Sequence, residues 1–100
     1  MDFQIVRTEP ALDEFESVVR FAASNNPSWA ETLRNELLGT VATLGRFPFL
    51  GPVYERDQTG RTREVMCRKY RVFYRVDETA SRVEVLTVWH GHQREPRLPS

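Results

Sequence analysis

The spacing of apolar residues changes at Pro48, near the middle of the chain. Before Pro48, apolar residues recur at three- and four-residue steps, which is typical of amphipathic helices. After it they alternate with polar residues, which is typical of half-buried strands. The helical part is interrupted at Asn26-Pro27, where Asn26 can cap a second helix and Pro27 can occupy its first position. The sequence therefore predicts two consecutive helices, the second ending at Phe47 because proline disfavours helical backbone in the residue before it.

Strands are predicted on both sides of the helices. A short strand at 3–7 comes first, and Thr8 offers a hydroxyl cap for the helix that follows. Strands at 62–68, 70–76 and 82–90 come after the helices, with 53–55 a candidate for one more. Two helices joined by so short a break form an antiparallel hairpin. The expected fold class is therefore α+β, with the hairpin packed on one face of an antiparallel sheet of three to five strands.

Alternation assigns side chains to the two faces of that sheet. In the strand at 70–76, Tyr70, Val72, Tyr74 and Val76 suit the face that the helices cover. The opposite face then receives Arg71, Phe73 and Arg75. In the last strand, simple alternation groups Glu84, Leu86, Val88 and His90 on one face. Both faces of that strand contain apolar residues, so the face that joins Arg71 stays open.

A chain of 100 residues has room for a single domain spanning 1–100, in which the polar, Pro-rich segment 92–100 is expected to be a flexible tail. No apolar run approaches the roughly 18 residues of a membrane helix, and the first residues lack the features of a signal peptide. Cys67 is the single cysteine, which excludes an internal disulfide and a multi-cysteine zinc site. We therefore expect a cytoplasmic protein without a membrane association.

Charge is divided unevenly although the net charge is zero. Residues 1–50 carry four basic and seven acidic side chains, whereas residues 51–100 carry ten basic and seven acidic ones. A local basic surface in the second half is one interpretation, and a solvated strand face is the other. The global positive field that attracts nucleic acid is absent. The candidates for contacting a nucleic acid or another target are Arg61, Arg63, Arg68, Lys69, Arg75, His92 and Arg94.

Several segments, in order, resemble a known family. They are Asn25-Asn26-Pro27, the stretch 44–51, Arg63-Glu64, the stretch 70–77 and the stretch 85–91 with the basic tail after it. Together they are similar to toxins of the RelE/ParE superfamily, often called plasmid stabilisation proteins, over roughly residues 3–97. The resemblance implies the growth-inhibiting toxin of a type II toxin–antitoxin system, held in a hetero-oligomer by a cognate antitoxin.

The resemblance leaves two targets open. RelE-like members cleave messenger RNA on the ribosome, whereas ParE-like members poison DNA gyrase. Metal-free RNA cleavage would need a base, a phosphate clamp and an acid, for which Glu64, Arg71 and His90 (or His92) are the candidates. Glu64 as an ion-pair partner and His90 as an ordinary strand-end residue are the structural alternatives. Ribosome-dependent relatives are usually strongly basic, and many RelE-like chains end in a segment with a Tyr or His near the active site. This chain is neutral, with a pI near 6.7, and its tail has no aromatic residue, so it resembles the ParE side more closely.

A third hypothesis is that the protein is an antitoxin-binding module that has lost toxicity. No cofactor is expected, and His90-Gly91-His92 lacks the further ligands of a metal site. The antitoxin is expected on the helix hairpin and on the sheet edge beside the first strand. Trp29 on the apolar stripe of the second helix, which also suits a core position, and the acidic Glu31 and Glu36 are the candidate contacts.

Overall fold

The computed structural model describes residues 2–90. The elements, in chain order, are β1 (Gln4–Arg7), α1 (Glu9–Asn25), α2 (Pro27–Arg46), β2 (Thr62–Cys67), β3 (Tyr70–Asp77) and β4 (Arg82–His90). The predicted order is confirmed, and the candidate strand at 53–55 is reduced to one isolated bridge between Val53 and Arg63. The predicted tail, with His92 and Arg94, lies outside the described residues. Neither α1 nor α2 has the length and hydropathy that crossing a membrane requires.

Side-chain caps start both helices where the sequence places them. The Thr8 hydroxyl oxygen accepts a hydrogen bond from the Ala11 amide at 3.4 Å, and Asn26 Oδ1 accepts one from the Trp29 amide at 3.1 Å. Each cap satisfies an amide that the first helical turn would otherwise leave without a partner. The Thr8 hydroxyl also contacts the Val85 carbonyl oxygen at 2.9 Å, which ties the start of α1 to β4.

The four strands form one sheet in the order β1-β4-β3-β2. Its three later strands pair antiparallel, but β1 pairs parallel with β4, so the sheet is mixed rather than wholly antiparallel. The prediction missed this because alternation of polar and apolar residues carries no information about strand direction. The long connection through the helix hairpin is what makes parallel pairing possible.

The helices cover one face of the sheet, here called the helix face, and the bare face is called the open face. Leu33, Leu37 and Val41 of α2 belong to the same buried cluster as Val72 and Val88. A second cluster joins Leu44 to Tyr74 and Val83. On the open face a smaller cluster contains Tyr54, Phe73 and Leu86, with Trp89 packed against it. The predicted division of β3 between the two faces is therefore confirmed.

In β4 the simple alternation is wrong. Phe73 pairs with Thr87 while Tyr74 pairs with Val85, so one extra residue, Leu86, bulges out of the β4 ladder. A bulge places one additional side chain on a face and reverses the alternation beyond it. Leu86 thus lies on the open face while Val88 belongs to the core of the helix face.

Candidate functional site

An arginine–carboxylate pair lies on the open face, where β2 and β3 run side by side. Arg71 Nε and Nη2 both donate to Glu64 Oε2, at 3.0 and 2.8 Å. The two side chains are only 14% and 26% exposed, so water screens this pair less than it screens most surface ion pairs. The Arg71 guanidinium also lies over the Phe73 ring at 4.9 Å and over the Tyr54 ring at 5.6 Å. Arg71 is therefore held by one charge and two aromatic rings.

The segment after α2 brings Tyr54 to this pair. The Tyr54 amide donates to the Thr62 carbonyl oxygen at 2.7 Å, next to the Val53–Arg63 bridge. The Tyr54 ring then meets Phe73 edge-on, with the ring centroids 4.9 Å apart. The result is a polar, open depression of about 430 Å³, lined by Tyr54, Glu55, Arg56, Glu64 and Arg71.

His90 does not join Glu64 and Arg71. Directly opposed residues of an antiparallel pair share a face, and the residue opposite Arg71 is Trp89, whereas His90 is opposite Tyr70. The imidazole meets the Tyr70 ring edge-on at 5.2 Å, on the helix face. The bulge at Leu86 is the cause, since unbroken alternation from Glu84, the partner of Arg75, would place His90 beside Arg71. Two of the three predicted catalytic residues therefore come together and the third lies across the sheet.

Two of the predicted antitoxin contacts, Glu36 and Trp29, lie against Arg68, a predicted target contact. Arg68 forms a two-pronged ion pair with Glu36, in which Nη2 donates to Oε1 at 2.8 Å, and its guanidinium lies 4.7 Å from the centre of the Trp29 ring. The hydrogen bond from Arg68 lowers the pKa of Glu36. Trp29 is 37% exposed, so its expected core position is wrong. These three residues link α2 to the turn between β2 and β3.

The other basic candidates among residues 2–90 do not converge on one surface. Arg63 pairs with Tyr74 across the strands and donates from Nη1 to the Gly51 carbonyl oxygen at 2.7 Å. Arg75 pairs with Thr62 and contacts its hydroxyl at 3.4 Å. Arg61, Lys69 and the acidic candidate Glu31 are exposed. The basic run 61–75 is thus distributed over both faces and the turn of the hairpin.

Sequence reasoning missed a feature in the segment 47–53, here called the corner loop. The buried Tyr74 hydroxyl accepts a hydrogen bond from the Gly51 amide at 2.9 Å, and burial raises the pKa of Tyr74. A Cβ added to Gly51 would lie 2.2 Å from the Glu64 carbonyl oxygen, so the loop fits only glycine there. The signal available in the sequence was a run of large apolar residues outside any helix or strand.

Within residues 2–90, no group of three or more His, Cys, Asp or Glu side chains could hold a metal ion. Cys67 is buried at the end of β2 and forms no disulfide.

Solved structures share this architecture. A chromosomal ParDE toxin–antitoxin system from P. aeruginosa matches with a TM-score of 0.73 at 12% identity, over 88% of this chain and 95% of that one. The isolated E. coli RelE toxin gives a TM-score of 0.67 at 18% identity, over 93% and 88%. The RelBE2 toxin–antitoxin complex of Mycobacterium tuberculosis gives 0.62 at 20% identity, over 90% and 99%. At such identities the likeness establishes the fold alone.

Comparison with family models is more specific than the structural likeness. No curated protein sequence matches the chain. The model of the ParE toxin of type II toxin–antitoxin systems, parDE, matches residues 5–95. This range includes both helices, all four strands except the first residue of β1, and the open-face pair. The chain therefore belongs to the ParE toxin family of the RelE/ParE superfamily.

Proposed function

We propose that this protein is a growth-inhibiting toxin that acts on DNA gyrase and is neutralised by a cognate antitoxin. The observation that carries the choice of gyrase over RNA is the arrangement of the open face. Glu64 and Arg71 are bound to each other, and His90 lies on the opposite face of the sheet. Membership in the ParE family adds independent support.

Metal-free RNA cleavage makes demands that this arrangement meets poorly. The phosphorane formed by attack of the 2′-hydroxyl needs an available cation, and the leaving oxygen needs an acid on the same side. Arg71 donates to one Glu64 oxygen from both Nε and Nη2, so the charge of the guanidinium is largely compensated by this carboxylate. With the net charge of the whole chain at zero, there is also little long-range attraction for RNA.

The antitoxin has a suitable surface on the other side of the molecule. An apolar groove of about 180 Å³ lies between α1, α2 and β4, where Leu12, Phe15 and Leu38 meet Arg7 of β1. Leu12 is 44% exposed, so the groove opens to solvent. An amphipathic antitoxin segment could seat apolar side chains there, and β1, as an edge strand, could accept a further strand beside it. This placement moves the expected contacts from Trp29 and Glu36 toward the groove.

Expression in a bacterial host without the antitoxin tests the choice of target. We expect growth arrest with intact transcripts by primer extension, and inhibition of supercoiling when purified toxin is added to gyrase. Arg71→Ala should keep that inhibition, as should the control Arg20→Ala, whose side chain is 78% exposed on α1.

RelE-like cleavage remains the second candidate because Glu64 and Arg71 are adjacent on an open surface. It predicts new translation-dependent transcript ends, which Arg71→Ala abolishes and Arg20→Ala does not. That result would replace the gyrase proposal. A protein that causes no arrest at normal expression would instead be an antitoxin-binding module without toxicity.

A further inference from the structure

We infer that the corner loop, with Arg46 and Arg63 beside it, is a docking surface for an acidic segment with apolar side chains on the protein that the toxin inhibits. The inference rests on the proposed function in one respect, namely that the target is a protein. It assigns a specific surface to target recognition, apart from the antitoxin groove.

Exposed apolar side chains are concentrated in the corner loop. Eight large hydrophobic residues are exposed in the described part of the chain, and four of them fall within the seven positions 47–53. Phe47 is 56% exposed, Phe49 49%, Leu50 55% and Val53 43%. Single exposed apolar residues are ordinary, but a contiguous group of this kind on a small protein marks an interaction site.

Hydrogen bonds hold the loop that carries these side chains in one conformation. The Gly51 amide donates to the buried Tyr74 hydroxyl, and the Gly51 carbonyl oxygen accepts from Arg63. The Glu64 amide donates to the Pro52 carbonyl oxygen at 3.1 Å, and the Leu50 amide to that of Phe47 at 3.1 Å. Because the backbone is already ordered, binding here would cost less conformational entropy than binding to a mobile loop.

The charge beside the loop is positive, and no carboxylate of the described residues neutralises it. The Arg46 guanidinium lies 5.8 Å from the centre of the Phe47 ring, and that of Arg63 lies 4.9 Å from the centre of Phe49. Within residues 2–90, neither arginine forms an ion pair. Arginine and aromatic side chains are enriched among the residues that dominate binding energy at protein interfaces. Carboxylates of a partner would complete the charge balance, and its apolar side chains would cover Leu50 and Val53.

Other occupants fit this surface less well. A second copy docked loop to loop across a two-fold axis would gather Arg46 and Arg63 of both copies in one interface, and these like charges repel. Single-stranded nucleic acid would stack on Phe47 and Phe49 but would gain little from the aliphatic Leu50 and Val53. The antitoxin groove includes Arg7 of β1, at one edge of the sheet, whereas Val53 of the corner loop bridges to β2 at the other edge. An antitoxin seated in that groove would therefore not cover the corner loop.

Exposed-residue variants test the inference without removing core side chains. We would compare two proteins, the double variant Phe49→Ser with Leu50→Ser and the single variant Arg46→Glu, with a control. The control is Phe21→Ser, which removes a ring that is 71% exposed on α1. Affinity for purified DNA gyrase, growth arrest and antitoxin affinity are measured for each. The double variant should bind gyrase at least about tenfold more weakly, as loss of central interface side chains does. Arg46→Glu should weaken binding by about fivefold, Arg46→Lys much less, and Phe21→Ser should resemble the unmodified protein. Antitoxin affinity should stay within about twofold throughout.

The outcomes separate this inference from the proposed function. Full growth arrest and full gyrase affinity in the double variant would overturn the inference. So would a parallel loss of antitoxin affinity, a toxin dimer that the double variant dissociates, or RNA crosslinking that depends on Phe47 and Phe49. If the unmodified toxin does not bind gyrase, the proposed target is wrong. Loss of arrest in the double variant but not in Phe21→Ser would still support the docking surface.

Discussion

Replacement of Tyr74 by phenylalanine tests the anchor of the corner loop most directly. Tyr74 is fully buried, and its hydroxyl is the acceptor for the Gly51 amide at 2.9 Å. Phenylalanine keeps the ring and its packing against Leu44 and Val83, so the change removes one oxygen and little else. Gly51 is itself buried, and its amide would then lose its acceptor while remaining out of reach of bulk water.

The cost follows from the desolvation of that amide. A buried donor without a partner costs about 1–3 kcal/mol, more than the net gain from an ordinary hydrogen bond. For a domain of this size, a loss of about 2 kcal/mol lowers the Tm by roughly 8–16 °C. We expect the urea midpoint to fall with an unchanged m-value, because the surface exposed on unfolding is nearly the same.

Tyr70→Phe is the matched control for this measurement. Tyr70 is half-buried and contacts His90 through its ring edge, which phenylalanine preserves. Its free energy of unfolding should therefore change by less than about 0.5 kcal/mol. If Tyr74→Phe costs no more than Tyr70→Phe, the Gly51 amide has another acceptor, and the hydroxyl does not fix the loop.

Three further predictions concern single contacts. Gly51→Ala should destabilise the protein by about 3 kcal/mol in urea, because its Cβ would collide with the Glu64 carbonyl oxygen, and an unchanged midpoint would contradict that clash. Hydrogen bonds lower the pKa of Asp57, so the stabilisation from its carboxylate is present above the ordinary pKa of 3.8 and is lost as pH falls further. In Asp57→Asn the Tm should fall less steeply as the pH is lowered below 3.8, and a Tm that falls as steeply as in the unmodified protein would contradict this. Arg68→Ala should raise the pKa of Glu36 toward its ordinary value of 4.5, as measured by NMR titration. An unchanged pKa would exclude the ion pair in solution.

Much of the fold was accessible from the sequence because local signals were unambiguous. The caps at Thr8 and Asn26 and the change of period at Pro48 fix where the helices begin and end. The faces of β3 follow from alternation because its two sets of side chains differ clearly in character. The parallel direction of β1 was not accessible, since pairing over a long connection depends on tertiary packing rather than on local pattern.

The site was less predictable because it depends on one bulge and on a long loop. Alternation cannot reveal the extra residue at Leu86, since Val85, Leu86 and Val88 are all apolar and suit either face. The face of His90 therefore stayed open in the sequence, and the bulge places it opposite Tyr70 rather than on the face of Arg71. Charge alone suggested Glu64 as an ion-pair partner, but the structure identifies Arg71 as the base that it binds. The contact of Arg71 with Tyr54 depends on the loop that folds over the open face, which alternation does not reveal.

The corner loop explains why stability and target recognition should be separable in this protein. Tyr74 and Gly51 serve the fold, because one is buried and the other leaves no space for a side chain. Phe49 and Leu50 lie only a residue or two from Gly51 and about half of each side chain is exposed, so the core gains little from them. A small domain that retains exposed apolar side chains on a rigid loop incurs a risk of aggregation without a compensating gain in stability. Binding a partner is the role that accounts for both the rigidity and the exposure, and changes at the two pairs of residues should therefore separate unfolding from loss of toxicity.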